Sequence, residues 1–225
     1  MRPSEAPFPC HWWGVGLADA GLESERPDVG TYGKYDSAPL PALPFEMRGD
    51  LDWLTNAQPY ESHIGEEKLS ENQAALGMLL ESASSQGVEL PRAFLKFVRS
   101  PDLQERVRSC TDCFLDVCPE LVPSPLGGGY FVRFLADSQG CVFWYLYLTP
   151  EGRDHAVVSS IGFYGSEAER WEEEADPGDI SFSEESFESF ICRFWLENEI
   201  WFAQHEDTAL PAFGAQYIEA YRRRA

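Results

Sequence analysis

The chain has 225 residues, 44% of them hydrophobic and 14% aromatic, with seven Trp. Such a chain buries a substantial core, since each aromatic ring removes roughly 150–250 Å² from water, and disorder of the whole is excluded. Its formal net charge of −21, from 38 acidic and 17 basic residues, repels nucleic-acid phosphates and anionic membranes and favours a basic protein as partner.

Met1-Arg2-Pro3-Ser4-Glu5 lacks the apolar centre of a secretory signal. No apolar run approaches the roughly 20 residues that span a bilayer. The chain therefore reads as cytoplasmic, and its six Cys (Cys10, Cys110, Cys113, Cys118, Cys141 and Cys192) as reduced thiols. Residues 1–62 are broken by Pro39, Pro41 and Pro44, yet carry His11-Trp12-Trp13, Trp53 and Tyr60. These rings are costly to leave in water, so the segment is expected to pack on the rest as loops and short strands. It forms an irregular N-terminal extension to a single domain over 63–225.

From Glu66 to Gln86 the spacing predicts a helix, with Leu69, Leu76, Leu80 and Ala83 on one face, Gln73 filling the gap, and Gly87 as its stop. Leu90-Pro91 opens a second helix with Phe94, Phe97 and Val98 inward and Pro91 in its first position. Pro101 begins a third, short one. The centre reads as β: Cys113–Cys118, Tyr130–Leu135, Cys141–Leu148 and His155–Ile161. The short links Asp137-Ser138-Gln139-Gly140 and Thr149-Pro150-Glu151-Gly152 favour antiparallel hairpins. In Cys141–Leu148 one face is Val142, Trp144, Leu146 and Leu148, and the other is Cys141, Phe143, Tyr145 and Tyr147. Neither suits water, so this strand is central, with helices over its aliphatic face.

Residues 165–190 hold ten acids and one base, Arg170, and Pro177-Gly178 marks them as a loop. A helix then follows on the stripe Phe187, Phe190, Ile191, Phe194, Trp195, Asn198, Trp201 and Phe202, with Ser181 and Glu184 at capping-box spacing. A last helix runs from about Pro211 to Arg223 and ends in basic residues that suit its dipole.

Catalytic chemistry is sparse. Cys110-x2-Cys113-x4-Cys118 offers three thiols where a structural zinc wants four ligands, and it alternates like a strand, so buried structural Cys is favoured and no metal is assigned. His155 or His205, with a carboxylate or Cys, is the candidate for a small hydrolase, but no nucleophile elbow or metalloprotease motif supports it. Gly127-Gly128-Gly129 precedes a strand, whereas a phosphate cradle opens a helix. Glu197 and Glu199 stand two apart on a helix and project differently, which favours a bond to a buried Trp N–H or an Arg over glycosidase work. The acidic stretch lacks the alternation of an EF-hand loop. It divides between a solvated loop and a docking surface for a basic partner made by Glu167, Glu169, Trp171, Glu172, Glu173, Glu174, Asp176 and Asp179, with Trp171 as anchor.

Leu90-Pro91-x-x-Phe94-x-x-Phe97 resembles the Leu-Pro-x-x-aromatic-x-x-Phe helix of the SUKH superfamily. The Gly-Gly approach to an apolar strand, the strand Phe143-Trp144-Tyr145-Leu146 and the late Phe-x-x-Phe helix resemble it too, over roughly residues 66 to 203. The resemblance implies an α+β fold, a mostly antiparallel sheet of about four to six strands with helices on one side. It implies a non-catalytic binding scaffold with no cofactor, such as an immunity protein that neutralises a toxin, or a regulatory scaffold with another partner. The family's Asn-Gly-Gly after the Leu-Pro helix is replaced here by Ser100-Pro101 and a further helix, and residues 1–62 match nothing in its pattern.

Overall fold

The computed structural model describes residues 1–2, 5–36, 40–166 and 176–223. In chain order it contains β1 (His11–Gly14), β2 (Gly33–Asp36), α1 (Leu69–Gln86), α2 (Arg92–Arg99), α3 (Pro101–Gln104), β3 (Phe114–Leu115), β4 (Val122–Pro123), β5 (Tyr130–Ala136), β6 (Phe143–Leu148), β7 (His155–Ser160), β8 (Ser181–Glu184), α4 (Phe187–His205) and α5 (Ala212–Arg222). The fold is α+β. β3 and β4 pair with one edge of β5, and β5, β6, β7 and β8 follow in order, antiparallel throughout. β1 and β2 form a separate two-stranded ribbon.

The two faces of β6 divide as their side chains predict. Trp144, Leu146 and Leu148 join one core with Phe94, Phe97, Phe187, Phe190 and Phe194 from α2 and α4. Phe143, Tyr145 and Tyr147 join a second, smaller core with Phe8, Phe131 and Phe182. β6 is buried along its whole length, as a central strand is. Its hairpin partners turn tightly. Asp137 accepts hydrogen bonds from the N–H groups of Gln139 and Cys141, both at 3.0 Å, beside Gly140 at φ +70°. At the start of β5, Gly127, Gly128 and Gly129 all have positive φ, and a Cβ on Gly129 would sit 2.2 Å from the Leu148 carbonyl. The triple glycine is thus a steric requirement of a turn.

Several boundaries move, each for a physical reason. In α1 the expected Leu76 and Ala83 are buried and Leu80 packs half-buried on the core, but Asn72, Ala75 and Leu79 join them, while Leu69 is exposed and Gln73 lies at the margin, donating to the Val98 carbonyl. Asn72 donates to the Leu115 carbonyl and accepts from Val117 N–H, at 2.9 and 2.8 Å, so it satisfies the outer edge of a stretch whose Asp116 and Cys118 N–H groups bond the Phe134 and Arg133 carbonyls of β5. The expected strand Cys113–Cys118 shortens to β3, beside the register shift between Arg133 and Leu135 of β5. Pro91 stands just outside α2, with its carbonyl accepting the Leu95 N–H. Ser181 and Glu184 are not a capping box: they lie in β8, and Ser186 caps α4 through the Ser189 N–H.

α4 is buried on almost every side, its polar residues Glu188, Arg193, Glu197, Asn198 and Glu199 included. The stripe of aromatics faces the sheet. Much of the remainder faces residues 1–62, whose Trp12, Val15, Leu17, Leu22, Leu51 and Leu54 belong to the same core as α4. Cys10 forms a parallel bridge with Phe182, and Pro9 O accepts the Phe182 N–H at 2.7 Å, which covers the free edge of β8.

Candidate functional site

Of the acidic docking residues, Glu167, Glu169, Trp171, Glu172, Glu173 and Glu174 lie outside the described residues. Asp176 is exposed, and its carboxylate accepts the Gly178 N–H at 2.8 Å, starting the short turn that carries Asp179. The described residues on either side, Ser166 and Ile180, are buried. Tyr164 lies in this region, and its hydroxyl is pushed up to about 12, by burial first and then by Asp179 and Asp176.

The acids at the far end of the segment have another role. Glu184 accepts from Arg193 inside the protein, and Glu188 accepts from the backbone N–H groups of Gly49 and Leu51. Both carboxylates are buried and fasten α4 to its surroundings. They are structural, although by sequence they belong to the same acidic run.

The cations show a complementary arrangement. Arg26 is 1% exposed and forms a two-pronged pair with Glu197, Nη1–Oε1 at 2.6 Å and Nη2–Oε2 at 2.7 Å. Glu197 also accepts from Trp12 Nε1 and from the Tyr217 hydroxyl, both at 2.8 Å. Burial alone would raise the Glu197 pKa; the Arg26 charge and hydrogen bonds outweigh it and hold the carboxyl below its usual value. Arg193 donates to Glu184, Tyr217 and the Pro41 carbonyl. Arg133 pairs with Asp116 at 2.7 Å, and Arg108 pairs with Glu199 at 3.0 Å while lying over the rings of Tyr60 and Phe202. The expected bonds from Glu197 and Glu199 to a Trp N–H and to Arg are present. Among the described residues each buried arginine is matched by an acid, and most of the net charge of −21 lies outside these pairs.

The histidines do not assemble a catalytic group among the described residues. His155 Nε2 accepts the Phe187 N–H at 3.3 Å at the start of α4, and burial, aided by the Met1 amino group, lowers its pKa to about 4. It is a neutral cap. Ser181 Oγ stands 3.4 Å from His11 Nδ1, with Asp36 4.0 Å from Nε2. In this arrangement the serine is fully buried and the acid fully exposed, the reverse of what a nucleophile and its orienting carboxylate need. His205 Nδ1 lies 2.9 Å from the Trp201 carbonyl, which only accepts, so Nδ1 is the donor. Cys110 and Cys113 lie near each other, and burial foremost raises their thiols to about 12 and about 11, far from the thiolate that catalysis requires.

Three hollows stand out. One of about 460 Å³ is lined by Phe45, Trp53, Trp195 and Phe213, with Glu199 already committed to Arg108 and Tyr60. One of about 240 Å³ is lined by His63, Glu66, Glu67 and Asp112, among others. The third, about 270 Å³, lies between residues 15–31 and the C-terminal end of α4; Asp19, Asp28, Thr111, Trp201 and His205 line it. Sequence reasoning missed this cleft because its two aspartates come from the irregular extension and its rings from the last turn of α4. The one signal pointing there is His205 itself.

Comparison with family models, with curated proteins and with solved structures finds no match to this chain.

Proposed function

We propose that this chain is a non-catalytic binding protein that docks on a basic protein partner through its acidic surface. The observation that carries the reading is the inward placement of cations. Arg26, Arg108, Arg133 and Arg193 are each paired with a carboxylate in the interior or at its margin, and the exterior is left strongly anionic. A surface of one sign steers an oppositely charged partner and speeds its association. The acidic segment from Glu167 to Asp179 is its densest part in the sequence, with Trp171 as the anchoring ring. The SUKH resemblance gives the binding a purpose: neutralisation of a toxin domain in the cytoplasm. Among the described residues no helix is long and apolar enough to cross a membrane.

The hydrolase reading is weaker. His155 is spent on capping α4, and the thiol beside the His205 cleft is held protonated. Replacing Glu172, Glu173 and Glu174 together with Lys tests the proposal. Association with the basic partner is expected to slow by about tenfold or more at low salt and to lose most of its salt dependence. Equal binding by both proteins across a salt series would remove this surface as the interface.

A further inference from the structure

We propose that the cleft between the N-terminal segment and the C-terminal end of α4 receives a guanidinium group, presented by an arginine side chain of the basic partner. The inference rests on the binding reading above and adds a second, specific contact to it.

The cleft carries two carboxylates. Asp19 and Asp28 line it, and neither carboxylate makes an ion pair or hydrogen bond with the described residues. Gly16 lies under Asp28: a Cβ there would fall 1.7 Å from Asp28 Oδ1. The missing side chain is what lets this carboxylate lie over the cleft floor. His205 lines it too, its Nδ1 donating to the Trp201 carbonyl at 2.9 Å. The cleft adjoins the C-terminal end of α4, whose last carbonyls carry partial negative charge.

Among the described residues no Lys or Arg lines the cleft. The guanidinium of Arg222 reaches the Ala20 carbonyl at 3.4 Å from the α5 side, and both Nη atoms of Arg26 are engaged by Glu197, Tyr221 and Val15 O. Among the described residues the carboxylates of the cleft have no ion-pair partner. The His205 and Trp201 rings are stacked, 3.6 Å between centroids and 13° apart. A flat stack beside carboxylates suits a planar, multiply donating cation better than a compact ammonium. The volume, about 270 Å³, fits a side-chain head group and falls just below the range of roughly 300–1,000 Å³ for drug-sized ligands.

The test uses the intact protein and two probes, N-acetyl-arginine amide and its neutral isostere N-acetyl-citrulline amide. Each is titrated while the His205 ring and Trp201 indole resonances are followed by NMR. The arginine probe is expected to shift both saturably, and the citrulline probe to bind at least about tenfold more weakly, as expected for the loss of a charge-assisted contact. Asp19→Asn/Asp28→Asn, exposed positions whose change leaves the fold intact, is expected to abolish the difference. Equal binding of both probes, or no saturable shift at His205 and Trp201, overturns the inference. The same double variant is then measured against the basic partner. Weaker partner binding supports the assignment; unchanged binding overturns it while leaving the acidic-segment proposal standing. Failure of the Glu172–Glu174 reversal to affect binding strikes that proposal and leaves the probe titration intact.

Discussion

Glu197→Gln should be among the most damaging near-isosteric substitutions in this chain. The carboxylate takes two hydrogen bonds from Arg26, one from Trp12 and one from Tyr217, all between 2.6 and 2.8 Å. Gln keeps the shape and one acceptor but turns an N–H₂ group toward donors. It also leaves the Arg26 guanidinium, 1% exposed, without a counter-charge. Breaking one side of a buried pair costs about 3–5 kcal/mol, against a total stability of about 5–15 kcal/mol for a domain. Chemical denaturation should show that loss, whereas the exposed Glu81→Gln should stay within about 0.5 kcal/mol of wild type. Arg26→Met combined with Glu197→Gln removes both charges and should recover about 2 kcal/mol of the single variant's loss. Because Arg26 and Trp12 belong to the N-terminal segment, the single variant should also release residues 1–62 to proteolysis first. The Glu197 pKa is lowered in the fold, so its contribution is complete above the unfolded value near 4.3 and is lost as pH falls through the lower folded value. The gap between wild type and variant should therefore narrow in strong acid. A single variant within about 1 kcal/mol of wild type would refute the reasoning.

Two further outcomes follow from the site geometry. His155 is held neutral, with its pKa lowered to about 4, so the unfolded chain takes up a proton near pH 6.5 before the folded one does. Its stabilising effect is complete above that pH and falls by up to about 3 kcal/mol as pH drops toward 4; His155→Gln, which can still accept the Phe187 N–H, should flatten that part of the stability curve, and an unchanged slope would contradict the cap. Mild alkylation of the native protein should label Cys141, the one exposed thiol, before the buried Cys113, Cys118 and Cys192, with mass spectrometry as the readout; early labelling of Cys113 would contradict its burial.

The β-rich centre and the aromatic helix were legible because apolar periodicity reports burial directly. β6 carries two apolar faces, and both are covered. β8 was not legible. Its sequence Ser-Phe-Ser-Glu reads as a polar loop, yet Ser183 bonds Ser159 at 2.9 Å and Glu184 takes Arg193. Polar residues satisfied by distant partners give no local signal. The same holds for Arg26 and Glu197, 171 residues apart in sequence; composition counts both as surface charges. Charge density identified an acidic run, but Glu184 and Glu188 within it turn inward, because α4 begins where that run ends. The cleft at His205 joins Asp19 and Asp28 to the far end of α4, a juxtaposition that only the packed extension creates.

The central claim is that an anionic exterior recruits a basic protein. Side-by-side capture from native cell lysate, with wild type and with the Glu172→Lys, Glu173→Lys, Glu174→Lys variant, tests it most directly, with mass spectrometry of what each retains. The account predicts a basic protein held by wild type, released by added salt and absent from the variant. The same proteins retained by both, at every salt concentration, would contradict it.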